Sequence, residues 1–226
     1  MADRLERVVH TRPTSYRIDR TVEDEIAYLR YQIRRFSELR GIYNCRIPPS
    51  LVDQVETGRF FTEDELRNAV VSDAEPGSSM DELRSEWASQ AQELFEAFFA
   101  RMKRHPTYFL KVHVTKYGPG GSYHPTGLPG HPGRFISIKD PKIARSHWTF
   151  NQTIVHETIE LLIHDKVGER KTPHDEKEAI VDKFCSCNEL QAVYGPYPKQ
   201  SSFAGSLPDD WQSYITWLPG EAPSWN

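Results

Sequence analysis

Four residues that can bind a metal ion or move a proton lie close together between residues 153 and 164. They are His156, Glu157, Glu160 and His164. Wound as a helix at about 100° per residue, this stretch puts its apolar side chains on an arc of roughly 200° and leaves these four on the remaining face. A solvent-facing helix normally carries Lys, Gln or Arg there. The pattern therefore indicates a mostly buried helix whose narrow polar edge forms the wall of a site.

The spacing of these residues decides which of them can share a metal ion. His156 and Glu160 are one helical turn apart, so their side chains converge and can chelate together. His156 and His164 are separated by about 12 Å along the helix axis and cannot. Glu157 is rotated from His156 by about 100°, where a carboxylate can contact a metal-bound water without being a ligand.

A third ligand has to come from another element. The nearest candidates are Glu178 and Asp182, four residues apart on one face of the next predicted helix. At this point the motifs His156-Glu157-x-x-Glu160 and Glu178-x-x-x-Asp182 resemble the His-Glu-x-x-His helix and the downstream Glu-x-x-x-Asp helix of zincin metallopeptidases of the thermolysin-like, or gluzincin, type. The resemblance covers roughly residues 107–194.

The resemblance implies a role for each matching residue. His156 is the first metal ligand, Glu157 the general base, Glu178 the third ligand and Asp182 the acceptor of a hydrogen bond from His156. It also implies a metal-dependent hydrolase, a zincin-like peptidase that attacks a peptide or protein substrate with a metal-activated water. The expected cofactor is a divalent metal ion, zinc first, with manganese or iron as alternatives.

The chain departs from that family at Glu160, which stands where the family has its second histidine. One His and two carboxylates make a neutral site with a divalent ion, whereas the usual His, His, Glu site keeps a charge of +1. Less residual charge makes the ion a weaker Lewis acid, and the oxygen-rich ligand set favours a harder ion such as Mn²⁺ or Fe²⁺. The missing nitrogen could come from His164 or His174.

A second hypothesis follows from this departure. The chain would then be a catalytically inactive zincin-like protein that acts as a binding or assembly module. Its contact surface for a protein partner would be the C-terminal tail, which carries Trp211, Trp217 and Trp225, or the arginine-lined face of the first helix.

The elements that must position these residues can be predicted from hydrophobic periodicity. We expect an extended arm over residues 1–20, helices over 21–40, 63–71, 80–104, around 153–164 and 174–194, strands over 107–117 and 134–138, and an irregular loop over 118–133. The loop carries His124 and His131, which we leave without an assigned role.

These elements predict an α+β fold. We expect an N-terminal helical region, 1–105, followed by a zincin-like core, 106–226, that contains a small antiparallel sheet and two helices carrying the site. The two parts are expected to form one compact unit. The resemblance implies that Phe135 to Ile138 is the edge strand before the metal-binding helix.

Composition narrows the range of functions. The 226-residue chain has a net charge of −4, so nothing electrostatic favours nucleic acid as a partner. The charged N-terminus is not followed by an apolar segment, and no run approaches the ~20 apolar residues of a membrane span. Three cysteines do not make a disulfide framework, which predicts a reducing, cytoplasmic setting.

Overall fold

A four-stranded mixed sheet lies at the centre of the protein, between helices on both of its faces. The computed structural model describes residues 15–36, 45–102, 109–128, 131–144 and 146–215. The main sheet has the order β1-β2-β6-β3, and β4 and β5 form a separate small hairpin. The strands are β1 Ser15–Asp19, β2 Phe109–Thr115, β3 Gly121–His124, β4 Gly127–Leu128, β5 His131–Pro132 and β6 Phe135–Lys139. The helices are α1 Val22–Arg34, α2 Val52–Glu56, α3 Glu63–Ser72, α4 Met80–Met102, α5 Pro141–Ala144, α6 Phe150–Arg170, α7 His174–Cys185 and α8 Asn188–Tyr194.

The predicted α+β class is confirmed, but the expected antiparallel sheet is wrong. Strand β2 pairs in parallel with both β1 and β6, and only β3 runs antiparallel, along the outer edge of β6. The segment expected to be an irregular loop contains β3, which reverses the chain so that β6 returns parallel to β2. Phe135–Ile138 is therefore part of an inner strand, and the edge strand beside helix α6 is β3. The N-terminal segment expected to be an extended arm supplies β1 at the opposite edge.

The apolar face of the sheet packs against α4 and α6. The main hydrophobic cluster includes Ile18 and Leu94 from the first part of the chain together with Ile154 and Phe184 from the second. Elements from both sides of residue 105 thus share this core. None of the described helices is both long enough and apolar enough to cross a membrane.

The first two thirds of helix α6 are buried on every side, whereas the sequence pattern predicted burial only for its apolar arc. It begins after Thr149, whose side chain forms a capping box with Gln152, and its first fourteen residues, 150–163, are all buried. It ends at Arg170, beyond the stretch around 153–164 that was predicted to be helical, and Lys171 closes it in the left-handed conformation with φ of 52°.

The single helix expected over residues 174–194 is instead two helices. Helix α7 ends at Cys185, and the backbone N–H of Ser186 donates to the backbone carbonyl of Asp182 at 2.8 Å. Cys187 then adopts an extended conformation and begins α8 as its N-cap residue. The break turns the chain so that α8 packs against α4, and the segment after α8 returns across the end of α7.

The C-terminal tail packs onto the domain as far as it is described. The ring of Trp211 lies against Phe184 with a centroid distance of 4.7 Å, and Tyr214 is buried. Trp217 and Trp225 lie outside the described residues, so the use of the tail as a contact surface for a partner stays a prediction.

The face of the sheet beneath α1 is polar rather than apolar. Lys111 donates to Asp24 at 2.6 Å, while Glu25 accepts hydrogen bonds from the Thr115 hydroxyl at 2.5 Å and from the Lys116 backbone N–H at 3.0 Å. Glu25 is only 3% exposed. Burial raises its pKa to about 7, although these hydrogen bonds oppose the rise.

Glu25 should therefore make the stability of the fold depend on pH. The folded state keeps a proton on Glu25 between pH 4.5, its ordinary value, and about 7, whereas the unfolded state loses it. The stabilisation from that proton is fully present below pH 4.5 and is lost as pH rises through the folded pKa. Glu25→Gln stays neutral, so its free energy of unfolding relative to wild type should rise by about 1.4 kcal/mol per pH unit between pH 5 and 7.

Urea unfolding of both proteins at several pH values measures this difference. It should level off above pH 7, and Glu93→Gln, a change at an exposed site on α4, should show no such trend. A difference for Glu25→Gln that stays constant from pH 5 to 8 would contradict the assignment.

Candidate metal centre

A cleft of about 550 Å³ lies between the edge strand β3 and helices α6 and α7. Its lining includes residues from β3, α6, α7, the segment before α6 and the segment 195–201, which we call the strap. The lining residues closest to the predicted chemistry are Gly121, Tyr123, Trp148, His156, Glu157, Glu160, His164, His174, Lys177, Glu178 and Gln200.

Three of the predicted site residues form a compact group in the lining of this cleft. His156, Glu157 and Glu160 each offer one ligand atom, and these atoms all lie within 4.8 Å of one another. Glu178 approaches them from α7, with its Oε2 atom 3.6 Å from Nε2 of His156. The one-turn spacing on α6 therefore brings His156 and Glu160 together with Glu157, while the predicted third ligand, Glu178, lies beside His156 but outside this compact group.

These four side chains are buried, and two of them have an oxygen without a partner. Their exposure is 2% for His156, 4% for Glu157, 6% for Glu160 and 4% for Glu178. The Oε2 atoms of Glu157 and Glu178 make no hydrogen bond in the described part of the chain. Because an unpartnered buried carboxylate oxygen is costly, this arrangement fits a site that receives a cation or a polar ligand.

Lys177 also enters the cluster, and the sequence analysis missed it. Its ammonium group makes a close ion pair with Oε1 of Glu160 and lies 2.7 Å from Oε1 of Glu178. Lys177 itself is only 9% exposed. A lysine in the first turn of an amphipathic helix usually faces solvent, so only its position next to Glu178 in the sequence could have pointed to this role.

The electrostatics of the cluster follow from burial and from these close charges. Burial and then the charge of Glu160 raise the pKa of Glu157 well above its ordinary value, and the same two causes raise that of Glu178 to about 8. Burial also disfavours the ionised form of Glu160, but Lys177 and His156 outweigh this effect and lower the pKa of Glu160 to about 2. Glu160 and Lys177 thus form an ion pair, while Glu157 and Glu178 retain protons that an entering cation would displace.

His156 presents a neutral imidazole to the cleft. Burial lowers its pKa to about 4, although Glu160 opposes the change. At neutral pH its contact with Glu178 is therefore not an ion pair, and Nε2 has a lone pair available for a metal ion when the proton is on Nδ1.

Tyr197, rather than Asp182, is the partner of His156. Its hydroxyl lies 2.6 Å from Nδ1, in the place that the family resemblance assigned to a direct hydrogen bond with Asp182. The expectation of that direct bond is wrong because the strap inserts Tyr197 between the two side chains. Asp182 instead accepts the backbone N–H groups of Gln200 and Ser201, at 3.0 and 2.7 Å.

Asp182 nevertheless remains connected to the site. Burial raises its pKa, and hydrogen bonds from Ser201, Gln200 and Tyr197 oppose the rise. Asp182 therefore holds the strap in place and acts on His156 through Tyr197. No sequence signal identifies Tyr197, because its position depends on how the strap folds back over α7.

The wall opposite α6 is made by the edge strand and by an aromatic side chain. A Cβ atom on Gly121 would overlap the carboxylate of Glu157, so glycine here lets Glu157 lie directly against β3. Tyr123 lines the cleft, and burial raises its pKa to about 12, so its hydroxyl stays protonated. The ring of Trp148 lies against that of His156, with centroids 4.5 Å apart, and its Nε1–H donates to the carbonyl of Pro198 at 2.7 Å.

The remaining histidines do not complete the cluster. His164 lies in the cleft with Nδ1 3.4 Å from the Tyr123 hydroxyl, and the exposed His174 has Nδ1 3.6 Å from Oε1 of Glu178. Neither belongs to the compact ligand group found among the described residues. His124 is buried beneath α1, with Nε2 3.2 Å from the Ser137 hydroxyl, and the side chain of His131 is outside the described part.

Comparison with known proteins adds no relative: no family matches this chain, and neither does any curated protein or solved structure. The resemblance to zincins therefore stays a prediction from the sequence motifs.

Tyr197 offers a test of whether the cluster is a metal centre. Replacing it by Phe removes the hydrogen-bond partner that fixes the His156 ring, which at metal sites typically weakens binding by about 10- to 100-fold. We expect Tyr197→Phe to reduce zinc affinity by at least about tenfold, measured by competition with a chromogenic chelator. Tyr214→Phe, which removes a hydroxyl outside the cleft near Thr172, is the control. Equal affinity in wild type and Tyr197→Phe would show that Tyr197 does not orient a ligand.

Proposed function

We propose that this protein is a metal-dependent hydrolase that cleaves peptide bonds. The observation that carries the proposal is that His156, Glu157 and Glu160 bring their ligand atoms within 4.8 Å of one another in a cleft, next to Glu178, and that two buried carboxylate oxygens have no hydrogen-bond partner in the part of the chain that the structure describes. We also propose a cytoplasmic setting, which is supported by the free thiols of Cys45, Cys185 and Cys187.

The donor set fits a divalent cation. His156, Glu160 and Glu178 would hold the ion, and the mixed nitrogen and oxygen ligands suit zinc, manganese or iron. A bound divalent ion would supply a Lewis acid for a substrate carbonyl and a water, and would favour the ionised form of Glu157.

The protein's own residues provide the other parts of the reaction. Glu157 would take a proton from the attacking water and pass it to the leaving amine, a role supported by the position of its carboxylate within the cluster and against β3. Tyr123 lines the cleft and keeps its proton, so it would donate a hydrogen bond to the substrate carbonyl. Tyr197 fixes the ring of His156.

The edge strand supports a peptide as substrate. Strand β3 pairs with β6 on one side, and no strand within the described ranges pairs with its other side. Gly120 and Gly121 line the cleft without side chains that would keep a second backbone away. The unpaired backbone groups of such a strand can bind an extended peptide, and this would place a peptide bond beside Glu157.

A second candidate function is favoured by Lys177. Its ammonium already pairs with Glu160 and Glu178, so the cluster contains one positive charge of its own. In this alternative the chain is a binding or assembly module in which Lys177 is the cation of the cluster, no metal ion enters and Glu157 has no catalytic role.

Metal content and two variants separate these functions. Protein purified without chelator and dialysed against zinc should contain about one ion per chain, measured by mass spectrometry of the metal. Glu178→Ala should lose the ion because it removes a ligand. Glu157→Gln should retain it and reduce hydrolysis of a mixture of internally quenched peptides by at least about 100-fold.

Glu169→Ala changes an exposed carboxylate near the end of α6 and should keep both the ion and the activity. Absence of a stoichiometric ion in wild type would exclude the hydrolase and favour the binding module. Full peptide cleavage by Glu157→Gln would exclude Glu157 as the base.

A further inference from the structure

Lys177 is the feature of the cleft that the ligand set alone does not explain. Most buried metal sites with several carboxylates rely on the ion itself to balance their charge. Here an ammonium group contacts two of the three candidate ligands, and it is almost as buried as they are. Its role in a site that also binds a divalent cation needs a physical account.

The contacts of Lys177 involve only one oxygen of each of two carboxylates. Both of its ion pairs involve Oε1 atoms, one on Glu160 and one on Glu178. The Oε2 atom of Glu178 has no hydrogen-bond partner among the described residues and lies 3.6 Å from Nε2 of His156. Lys177 therefore holds this carboxylate from one side while its other oxygen faces the imidazole.

The formal charges show what the ammonium changes. With a divalent ion, the ligands His156, Glu160 and Glu178 give a neutral centre, because the two carboxylates cancel the ion. Lys177 brings the group to +1, the charge that a ligand set of two histidines and one carboxylate would have. The lysine on α7 thus offsets the additional carboxylate that Glu160 places on α6.

We infer that Lys177 is a charge-compensating and positioning residue of the metal centre, which weakens its hold on a divalent ion and keeps that ion a stronger Lewis acid. This inference rests on the proposed function. Lys177 touches the carboxylate ligands and acts through them. It follows that removing the ammonium strengthens metal binding and slows hydrolysis, two effects of opposite direction.

Titration of the full-length chain with zinc alone tests the inference. Lys177→Met introduces a side chain of similar length without a charge. The zinc ion should then be attracted more strongly, because Glu160 and Glu178 are no longer paired with an ammonium group. We expect its zinc affinity to exceed that of wild type by at least about tenfold. Its cleavage of internally quenched peptides at saturating zinc should be slower. Lys177→Arg keeps the charge and should bind zinc with an affinity close to that of wild type.

Lys183→Met is the matched control, since Lys183 is exposed on the same helix, and it should change neither quantity. If Lys177 only supported the fold, its removal would weaken zinc binding or leave it unchanged. Either result for Lys177→Met would overturn the inference without contradicting the metal centre. If wild type binds no zinc and Lys177→Met does, the two cations exclude each other and the inference is overturned. If neither binds zinc, the proposed function itself fails.

A double variant tests the same inference if Lys177→Met does not fold. Replacing both members of a buried ion pair is tolerated better than removing one of them. The double variant Glu160→Gln/Lys177→Met should therefore fold and should bind zinc more tightly than Glu160→Gln alone, because the remaining ligands no longer face an uncompensated ammonium. Equal or weaker binding by the double variant would overturn the inference.

Discussion

The structure depends on how three carboxyl groups are kept inside a buried cluster. Residues 150–163 of helix α6 are all buried, yet they include Glu157 and Glu160, and α7 adds Glu178. Burying several ionised carboxylates together is strongly unfavourable unless positive charge or protons accompany them. The molecule supplies both: Lys177 pairs with Glu160, and the raised pKa values of Glu157 and Glu178 keep protons on the other two. A divalent ion would replace those protons, which is why we regard the cluster as a metal centre rather than as an element of stability.

The elements of the fold could be predicted where local sequence determines them. Helix α6 follows from its apolar arc, and α3 and α6 both begin with a capping box, Thr62 with Glu65 and Thr149 with Gln152. The strand directions could not be predicted in the same way. They depend on β3, a four-residue strand hidden in a segment rich in Gly and Pro, and on β1, whose pairing with β2 joins residues about ninety positions apart in the chain.

The candidate site, too, could be predicted only where local sequence determines it. The one-turn spacing of His156 and Glu160 requires only helix geometry, so the sequence could bring them together. The contribution of Glu178 depended on how α7 packs across α6, and the structure places it beside His156. Lys177 and Tyr197 were missed because each acts through a contact between distant segments. Asp182 was given too direct a role, since nothing in its spacing shows that the strap lies between it and His156.

The most direct test of the metal centre is an anomalous difference map from crystals of the zinc-loaded protein. We expect one strong peak in the cleft, within about 2.0–2.2 Å of Nε2 of His156 and of one oxygen from each of Glu160 and Glu178, with the Lys177 ammonium beside it. A map with no peak between these three side chains, or with zinc only on surface histidines, would contradict the account.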